Sequence, residues 1–357
     1  MNSKSAIKGR GAQLNVPNRF LESHHEMRED FLEFCQKEGE EADKDKTLYL
    51  EVFPKTIVNK VESPDVGMMY SMNPYQGCEH GCIYCYARNT HEYWGYGAGL
   101  DFERRILVKK DAPKLLEALF KKKSWKAHPI VLSGNTDCYQ PAERQFKITK
   151  QCLEVFLKYR HPVAIITKNA LVGRDLDILK ALAKDNLVAV SISITSLSEE
   201  TRRILEPRTT TIKKRLETVK ALSENGIPVN GMLAPIIPSI NSHEILPLAK
   251  AISEAGAVSM GHTVVRLNGA IDKIFTDWIK KTMPDRANKV LHQIANCHGG
   301  NLNDSRFGTR MRGEGKMAKQ INDTVKLAKL KYFKDKTVPK LNIDLYEGFK
   351  NGQLKLF

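Results

Sequence analysis

The chain has 357 residues, of which 41% are apolar and 27% are charged, a composition typical of a soluble globular protein. Its apolar stretches are shorter than the roughly 20 residues of a membrane helix, and its first residues have no apolar signal-peptide core. Seven cysteines scattered over this length do not form the disulfide framework of a small secreted domain. We therefore expect a cytoplasmic protein with free thiols and no membrane partner.

The net charge of +15 is distributed unevenly along the chain. We predict a mildly acidic N-terminal arm over residues 1–68, with a charged helix over Glu22–Asp45, and a basic C-terminal extension over residues 286–357. Basic segments bind nucleic acid by releasing the counterions of its phosphates, but a lysine-rich surface can also be simply solvated. Nucleic acid is therefore a candidate partner that the charge alone does not establish.

Between these segments, short apolar runs alternate with stretches of helical period. The predicted strands are Met69–Met72, Ile130–Ser133, Val163–Thr167, Val188–Ile194, Val229–Leu233 and Val258–Val265. The predicted helices are Asp111–Lys122, Pro141–Tyr159, Arg174–Lys184, Thr211–Asn225 and Asn241–Ala255. Strands that alternate with helices form a parallel sheet with right-handed crossovers. Because six such units are two short of a closed barrel, we predict an α/β fold, a partial (β/α)6 barrel over residues 69–285.

Three cysteines near the start of this region, Cys78, Cys82 and Cys85, are spaced CxxxCxxC. One short loop can turn three sulfurs so spaced toward a single site, and thiolates are the ligands of iron–sulfur clusters. A four-iron cluster held by three thiolates keeps one iron without a protein ligand, and chemistry can occur there. The alternative is a structural zinc site, for which His80 or His91 could supply the fourth ligand.

Polar residues follow several of the predicted strands. The polar segments are Ser133–Asp137, Thr167–Lys168 and Ser191–Ser196, and a further strand ends in the apolar segment Leu233–Ile236. In parallel α/β folds, ligands bind at the carboxyl ends of the strands. Each segment by itself could be a helix N-cap, but together they predict one binding site beside the cysteine loop.

The cysteine motif resembles the signature of the radical S-adenosylmethionine (SAM) superfamily, in which an aromatic residue precedes the third cysteine, as Tyr84 does here. The resemblance implies a partial barrel and one [4Fe–4S] cluster whose open iron binds the amino and carboxylate groups of SAM. In that family the reduced cluster cleaves SAM to methionine and a 5′-deoxyadenosyl radical, which abstracts hydrogen from a substrate. An external one-electron donor of the ferredoxin or flavodoxin type is implied as a partner.

Beyond this loop, the chain is similar to the spore photoproduct lyase branch of the superfamily. The shared segments are Thr136-Asp137, Thr167-Lys168, Ser193-Ile194, Glu206-Pro207, Arg215-Leu216 and Ala234–Ile236. The residues that this resemblance places around SAM are Thr136 and Lys168 at the methionyl carboxylate, Asp137 beside them, Ser193 at the ribose, and Ala234 and Tyr84 at the adenine through their backbones.

Three longer segments, Asn73–Cys78, Thr136–Glu143 and Arg306–Gly315, look like those of a widespread, poorly characterised lyase-like subfamily. We therefore predict a radical SAM enzyme with lyase-like chemistry on an unidentified substrate, for which nucleic acid or a nucleotide is the candidate. The alternative is a zinc- or cluster-stabilised nucleic-acid-binding protein without catalytic activity.

One position departs from the lyase pattern. Spore photoproduct lyases carry a cysteine three residues before the aspartate of the second-strand loop, and this cysteine returns a hydrogen atom to the product radical. Gly134 stands at that place in this chain. Cys138, just after Asp137, is our candidate hydrogen donor, and the alternative is an ordinary buried thiol. The resemblance therefore does not imply repair of thymine photoproducts.

Two further groups of residues have open interpretations. An aromatic group after the cysteine loop can stack on a base or shield the iron–sulfur cluster from water, and we favour shielding. Its members are His91, Tyr93, Trp94 and Tyr96. A basic group in the C-terminal extension can bind phosphates, or it can pack against the bottom of the barrel and pair with the acidic arm. Its members are Arg306, Arg310, Arg312 and Lys316.

Overall fold

A computed structural model describes residues 7, 9–20 and 46–350 of the chain. The charged helix predicted over Glu22–Asp45 lies outside the described residues. Within the described ranges, none of the helices combines the length and the apolar content that crossing a membrane requires.

Two sheets form in the described part of the chain. Their strands are β1 (Leu48–Glu51), β2 (Val58–Lys60), β3 (Tyr70–Met72), β4 (Tyr75–Gln76), β5 (Arg105–Val108), β6 (Ile130–Leu132), β7 (Val163–Thr167), β8 (Val188–Ser193), β9 (Val229–Ile236) and β10 (Ser259–Val264). The larger sheet has seven strands in the order β10-β9-β8-β7-β6-β3-β2, and the smaller sheet has three in the order β1-β5-β4.

The larger sheet is a parallel sheet with one antiparallel edge strand. Strands β3 and β6 to β10 are parallel, and they lie side by side in chain order. Strand β2 pairs antiparallel with β3. Each of the six strands predicted from the sequence overlaps one of the parallel strands. Because β10 has no pairing back to β3, the barrel is open, and the predicted α/β fold with a partial (β/α)6 barrel is confirmed.

Helices connect the parallel strands. The α-helices of the described residues are α1 (Leu100–Arg104), α2 (Ala112–Phe120), α3 (Ala142–Phe146), α4 (Ile148–Lys158), α5 (Leu176–Lys184), α6 (Glu199–Leu205), α7 (Ile212–Glu224), α8 (Ile245–Glu254), α9 (Ile271–Thr282), α10 (Pro284–Asn296), α11 (Gly315–Tyr332) and α12 (Asp344–Lys350). Helix α7 begins at Thr211, whose hydroxyl accepts a hydrogen bond from the Lys214 amide. It ends just before Gly226, which has a φ of +75° that favours glycine.

The prediction of a single helix over Pro141–Tyr159 is wrong, because two helices, α3 and α4, occupy this range. They meet at Lys147, which has a left-handed φ of +52°. The turn brings the Glu143 carboxylate to the start of α4, where it accepts hydrogen bonds from the backbone amides of Thr149 (2.9 Å) and Lys150 (3.3 Å). These amides lack partners within the helix, so the side-chain cap compensates for the break.

The flanking segments share the core of the barrel. Strand β1 of the N-terminal arm pairs in parallel with β5. Helix α11 of the C-terminal extension buries Ala318, Ile321 and Val325 in the same apolar core as Ile165 and Val190 of the sheet. The predicted limits at residues 69 and 285 stay a prediction.

We expect Gly231→Ala to destabilise the barrel. A Cβ at Gly231, in the middle of β9, would overlap Cγ2 of the buried Ile252 on helix α8. Overpacking of this kind costs about 1–3 kcal/mol, and we expect a loss of that size in the free energy of unfolding, measured with urea under anaerobic conditions. Gly173→Ala is the matched control, because a Cβ there meets nothing within 4 Å. Equal stability of the two variants would contradict the packing described here.

Candidate active site

A cavity of about 410 Å³ lies at the carboxyl ends of the parallel strands, a volume in the range of small-molecule sites. Nine of the ten site residues predicted from the sequence line it. They are Cys78, Cys82, Tyr84, Cys85, Thr136, Asp137, Lys168, Ser193 and Ala234. The parallel topology therefore brings together residues that are up to 156 positions apart in the sequence.

The cysteine loop follows β4 and is held closely at both ends. The Cys78 amide donates to the Phe102 carbonyl (2.8 Å), and the Ile83 amide donates to the Leu205 carbonyl (3.0 Å). Gly77 has a φ of +79°, and a Cβ there would lie 2.8 Å from the Arg105 carbonyl oxygen. Only glycine satisfies both the backbone angle and the lack of space at this turn.

The three cysteines form one wall of the cavity. Cys78 and Cys82 are buried and Cys85 is partly exposed. Burial is the main cause that raises the pKa of both Cys78 and Cys82, whereas metal binding would deprotonate these thiols.

Within residues 7, 9–20 and 46–350, no three His, Cys, Asp or Glu side chains converge as the ligands of a single metal ion do. A cubane provides a separate iron for each thiolate, so its ligands do not need to converge on one atom. Three thiols along one buried wall therefore fit the donor set of such a cluster.

The two histidines considered as a fourth zinc ligand are occupied or remote. His80 lines the cavity, but its Nδ1 lies 3.3 Å from the Asp137 carboxylate and its Nε2 lies 3.2 Å from the Asn169 amide nitrogen. His91 is fully buried outside the cavity lining and stacks on Tyr96 at 5.3 Å between ring centroids. Burial, as the largest effect, lowers the pKa of His91 to about 4. Both ring nitrogens of His80 are therefore occupied, whereas those of His91 have no hydrogen-bond partner among the described residues but do not line the cavity with the three thiols.

Asp137 joins the cysteine loop to two strands. Its Oδ1 accepts a hydrogen bond from the Thr167 hydroxyl (2.8 Å), and its Oδ2 accepts one from the Lys168 amide (2.8 Å). Oδ2 also pairs with His80 of the cysteine loop. Burial alone would raise the pKa of Asp137, but the charge of His80 and these hydrogen bonds lower it to about 2. Both carboxylate oxygens are thus used by the protein, which makes Asp137 a positioning residue.

The remaining predicted cofactor contacts differ in what they present to the cavity. The Thr136 hydroxyl donates to the Tyr75 carbonyl, so it connects β4 to the loop that follows β6. The Ser193 carbonyl at the end of β8 accepts from Arg215 (2.9 Å). Ala234 of β9 lines the cavity with its small side chain and backbone.

Lys168 is a cation that lines the cavity together with the three cysteines. Its ammonium lies 5.9 Å from the centroid of the Tyr84 ring, and among the described residues it has no hydrogen bond or ion pair through that group. Burial disfavours the charged form of Lys168, but the negative charges of Cys82 and Glu206 outweigh this effect and raise its pKa. The cavity therefore contains a charged donor that can bind a carboxylate.

A buried ion pair between Glu206 and Arg215 supports this wall of the site. The two side chains are 0% and 1% exposed, and Nη2 of Arg215 lies 2.6 Å from Oε2 of Glu206. Oε1 of Glu206 accepts hydrogen bonds from the hydroxyls of Tyr84 and Thr195, and Arg215 also holds the Ser193 carbonyl. The sequence segments Glu206-Pro207 and Arg215-Leu216 marked these residues, but nothing in the sequence assigned them a role.

Cys138 does not reach the cavity. Its side chain is fully buried in the apolar core, and it is not among the lining residues. Its backbone amide donates to Ser133 Oγ (2.7 Å), and its carbonyl accepts from Thr149 Oγ1 (2.6 Å). Since hydrogen-atom donation requires the thiol to approach the substrate, this position favours the alternative of a packed core thiol.

Gly134, which replaces the cysteine of the spore photoproduct lyase pattern, lines the cavity next to β3. A Cβ at this position would overlap Ser71 Oγ and lie 3.0 Å from Ser71 Cβ. The space that a side chain would occupy is therefore already filled by Ser71. A cysteine at position 134 would therefore require Ser71 to move.

The aromatic group after the cysteine loop does not cover the cavity. Tyr93 is 71% exposed and Trp94 is 38% exposed, and neither they nor Tyr96 line the cavity. Tyr93 lies instead beside Phe20 of the N-terminal arm, at 5.0 Å between ring centroids. The favoured shielding role finds no support in these positions.

Two members of the basic group form ion pairs, and one of them, Arg310, lies at the cavity and not at the barrel bottom. The Val264 amide, at the end of β10, donates to the Met311 carbonyl (3.0 Å). Arg310 lines the cavity and pairs with Asp65 of the N-terminal arm, as the second interpretation expected. Arg306 pairs with Asp304 (3.0 Å).

Comparison with known families matches residues 72–252 to the Radical SAM superfamily. An uncharacterised protein of Mycobacterium tuberculosis is 30% identical over 244 residues, which cover 68% of this chain and 72% of the relative. An uncharacterised protein of Methanocaldococcus jannaschii is 32% identical over 246 residues, which cover 69% of this chain and 88% of the relative. The chain belongs to the radical SAM superfamily, and the predicted membership is confirmed.

Among solved structures, spore photoproduct lyase complexed with dinucleoside spore photoproduct has the same fold. Its TM-score is 0.58 at 16% identity, with 80% of this chain and 79% of the lyase covered. A mutant of this lyase with bound AdoMet and dinucleoside spore photoproduct has a TM-score of 0.59 over the same shares. As a member of the family, the protein is a radical SAM enzyme, and its cofactors are a [4Fe–4S] cluster and SAM.

We expect Glu206→Gln to destabilise the protein strongly. The substitution leaves the Arg215 charge buried without its partner, which costs about 3–5 kcal/mol of unfolding free energy. Urea-induced unfolding measures this loss, and Arg215→Met combined with Glu206→Gln should recover part of it. The control is Glu217→Gln, because Glu217 forms a largely exposed pair with Lys214, worth about 1 kcal/mol at most. Similar losses at positions 206 and 217 would mean that the buried pair is not a support of the site.

Proposed function

We propose that Cys78, Cys82 and Cys85 hold the [4Fe–4S] cluster of this enzyme and that its radical acts on a nucleic acid or a nucleotide in lyase-like chemistry. The observation that carries the proposal is that the three thiols share one cavity with Lys168 and Ala234. The chain thus provides thiolates, a cation and an apolar slot at the carboxyl ends of one parallel sheet.

The chemistry comes from the bound cofactors. A reduced cluster held by Cys78, Cys82 and Cys85 would supply the one electron that converts SAM to methionine and a 5′-deoxyadenosyl radical, the species that would abstract hydrogen from the substrate. The electron comes from an external one-electron donor, and we propose a donor of the ferredoxin or flavodoxin type. The reduced thiols of the described cysteines support the cytoplasm as the compartment.

The chain's own residues bind and orient SAM. We propose that Lys168 binds the methionyl carboxylate, because it lines the cavity and its ammonium has no partner among the described residues. Ser193 would bind the ribose, and the backbones of Ala234 and Tyr84 would border the adenine, since all three line the same cavity. Thr136 and Asp137 act indirectly, because their oxygens already bond the protein. The apolar surface of the cavity excludes water from the radical.

Two features support a nucleic-acid or nucleotide substrate. The side chain of Tyr86 lines the cavity with 49% of its surface exposed, and a base can stack on such a ring. The similar lyase structure is complexed with a dinucleoside photoproduct. The filled space at Gly134 and Ser71 separates this site from the lyase pattern, so we propose a different substrate or a different route of hydrogen return.

We expect anaerobically reconstituted protein to bind about four irons per chain and to form 5′-deoxyadenosine from SAM with dithionite. Cys82→Ala should lose both, because two thiolates do not hold a cubane firmly. The control Cys152→Ala removes a buried thiol outside the cavity and should keep both. Iron content and chromatography of the reaction give the result. Protein that retains zinc and forms no 5′-deoxyadenosine would support the non-catalytic alternative instead.

We expect Lys168→Met to weaken SAM binding by roughly 10- to 100-fold, the effect of losing a hydrogen bond to a charged group. Isothermal titration of the reconstituted protein with SAM measures the change in Kd. The control is Lys180→Met. Lys180 is exposed on helix α5, so this substitution removes the same charge outside the cavity and should leave the Kd unchanged. A Kd for Lys168→Met equal to that of the control would show that Lys168 does not contact SAM.

A further inference from the structure

Arg266 is a second cation of the cavity, and most of its donors have no partner among the described residues. It follows β10 and lines the cavity together with Tyr86, Arg310 and Met311. Its Nη1 donates to the Asp304 carbonyl at 3.3 Å. Among the described residues, its guanidinium forms no ion pair with a carboxylate and no further hydrogen bond. Since guanidinium has five N–H donors, most of its capacity to donate is not used by the described residues, and the side chain lines the cavity.

The acidic side chains near Arg266 are already occupied. Asp65 accepts hydrogen bonds from Arg310 and from the Gly308 amide (2.7 Å). Asp304 accepts from the Arg306 amide (2.9 Å) and pairs with the Arg306 guanidinium (3.0 Å). The carboxylates thus satisfy other donors, and Arg266 remains as a positive charge toward an incoming ligand.

The surroundings of Arg266 make an anionic ligand favourable. Burial, and next the charge of Arg310, lower the pKa of Arg266, but an arginine stays charged in proteins. A partly desolvated charge without a partner is costly, and a bound anion would remove that cost. Guanidinium matches the geometry of phosphate oxygens in two parallel hydrogen bonds.

We infer that Arg266 binds a phosphate group of the substrate at the mouth of the cavity, so that the reacting sugar or base lies beside the SAM site. This inference rests on the proposed function for the radical chemistry. The phosphate can belong to a diester in a nucleic acid strand or to a monoester in a free nucleotide. Lys168 would bind the SAM carboxylate, so the two cations of the cavity would have separate ligands.

Equilibrium binding to the reconstituted full chain tests this inference. The probes are a ten-residue oligothymidylate as diester, thymidine monophosphate as monoester, and thymidine as the form without phosphate. We expect Arg266→Gln to weaken binding of the preferred phosphate probe roughly 10- to 100-fold. For the oligonucleotide, the slope of log K against log salt should fall by about 1. Arg266→Lys keeps the charge without the planar fork and should lie between wild type and Arg266→Gln.

The control is Lys319→Gln, which removes one charge from an exposed position of helix α11, where the lysine side chain is 81% exposed. It should change the Kd of the probes by less than about twofold, because exposed charges are screened. The probe that binds more tightly identifies the source of the phosphate. Thermal unfolding of each variant shows whether it folds. If Arg266→Gln does not fold, Arg266→Lys replaces it in the binding test.

Four results would overturn the inference. Arg266→Gln could bind the phosphate probes with the Kd and salt slope of the wild type. It could weaken SAM binding and leave the probes unaffected, which would assign Arg266 to SAM. The wild type could bind thymidine as tightly as it binds both phosphate probes. It could also bind none of the three probes. Formation of 5′-deoxyadenosine by the same wild-type preparation is measured separately, so failure of the phosphate site is distinguishable from failure of the proposed function.

Discussion

The geometry of the site depends on the contacts that the Asp137 carboxylate forms with the cysteine loop and with the end of a strand. One oxygen binds the end of strand β7 through Thr167, and the other binds the Lys168 amide and His80 of the cysteine loop. A loop that carries three cysteines has little regular structure of its own, so it needs such an anchor. With Asp137 in place, the sulfurs face the same cavity as the ends of four strands. The charge of the carboxylate is retained in the interior because donors surround it.

A second buried network, Glu206 with Arg215, performs the same task on another wall. It holds the Tyr84 hydroxyl of the cysteine loop and the Ser193 carbonyl at the end of strand β8. Buried ion pairs add little net stability compared with apolar packing. Their value here is position, since each charged oxygen or nitrogen selects one arrangement of the loop and strand ends. Rigid support of this kind is what a reactive radical requires to meet a single hydrogen atom.

The mouth of the cavity is assembled from segments outside the matched family region, residues 72–252. Asp65 from the N-terminal arm and Arg310 from the C-terminal extension form an ion pair there, and Arg266 lies beside them. The flanking segments therefore complete the site as well as the core. Members that share the barrel can differ in these segments, and with them in the substrate, because loops at strand ends change without disturbing the sheet.

The sequence by itself determined the parallel α/β fold, because alternating apolar runs and helical stretches have few other ways to bury their apolar faces. It also predicted three cysteine ligands, whose spacing is local, and the strand ends that line the same cavity. Tertiary structure decided what each polar atom does: the Thr136 and Asp137 oxygens bond the protein, Cys138 faces the core, and Ser71 fills the space beside Gly134. Only the fold brings Arg266 to the cavity without a carboxylate partner in the described part of the chain, since pairing between residues far apart in the sequence leaves no local signal.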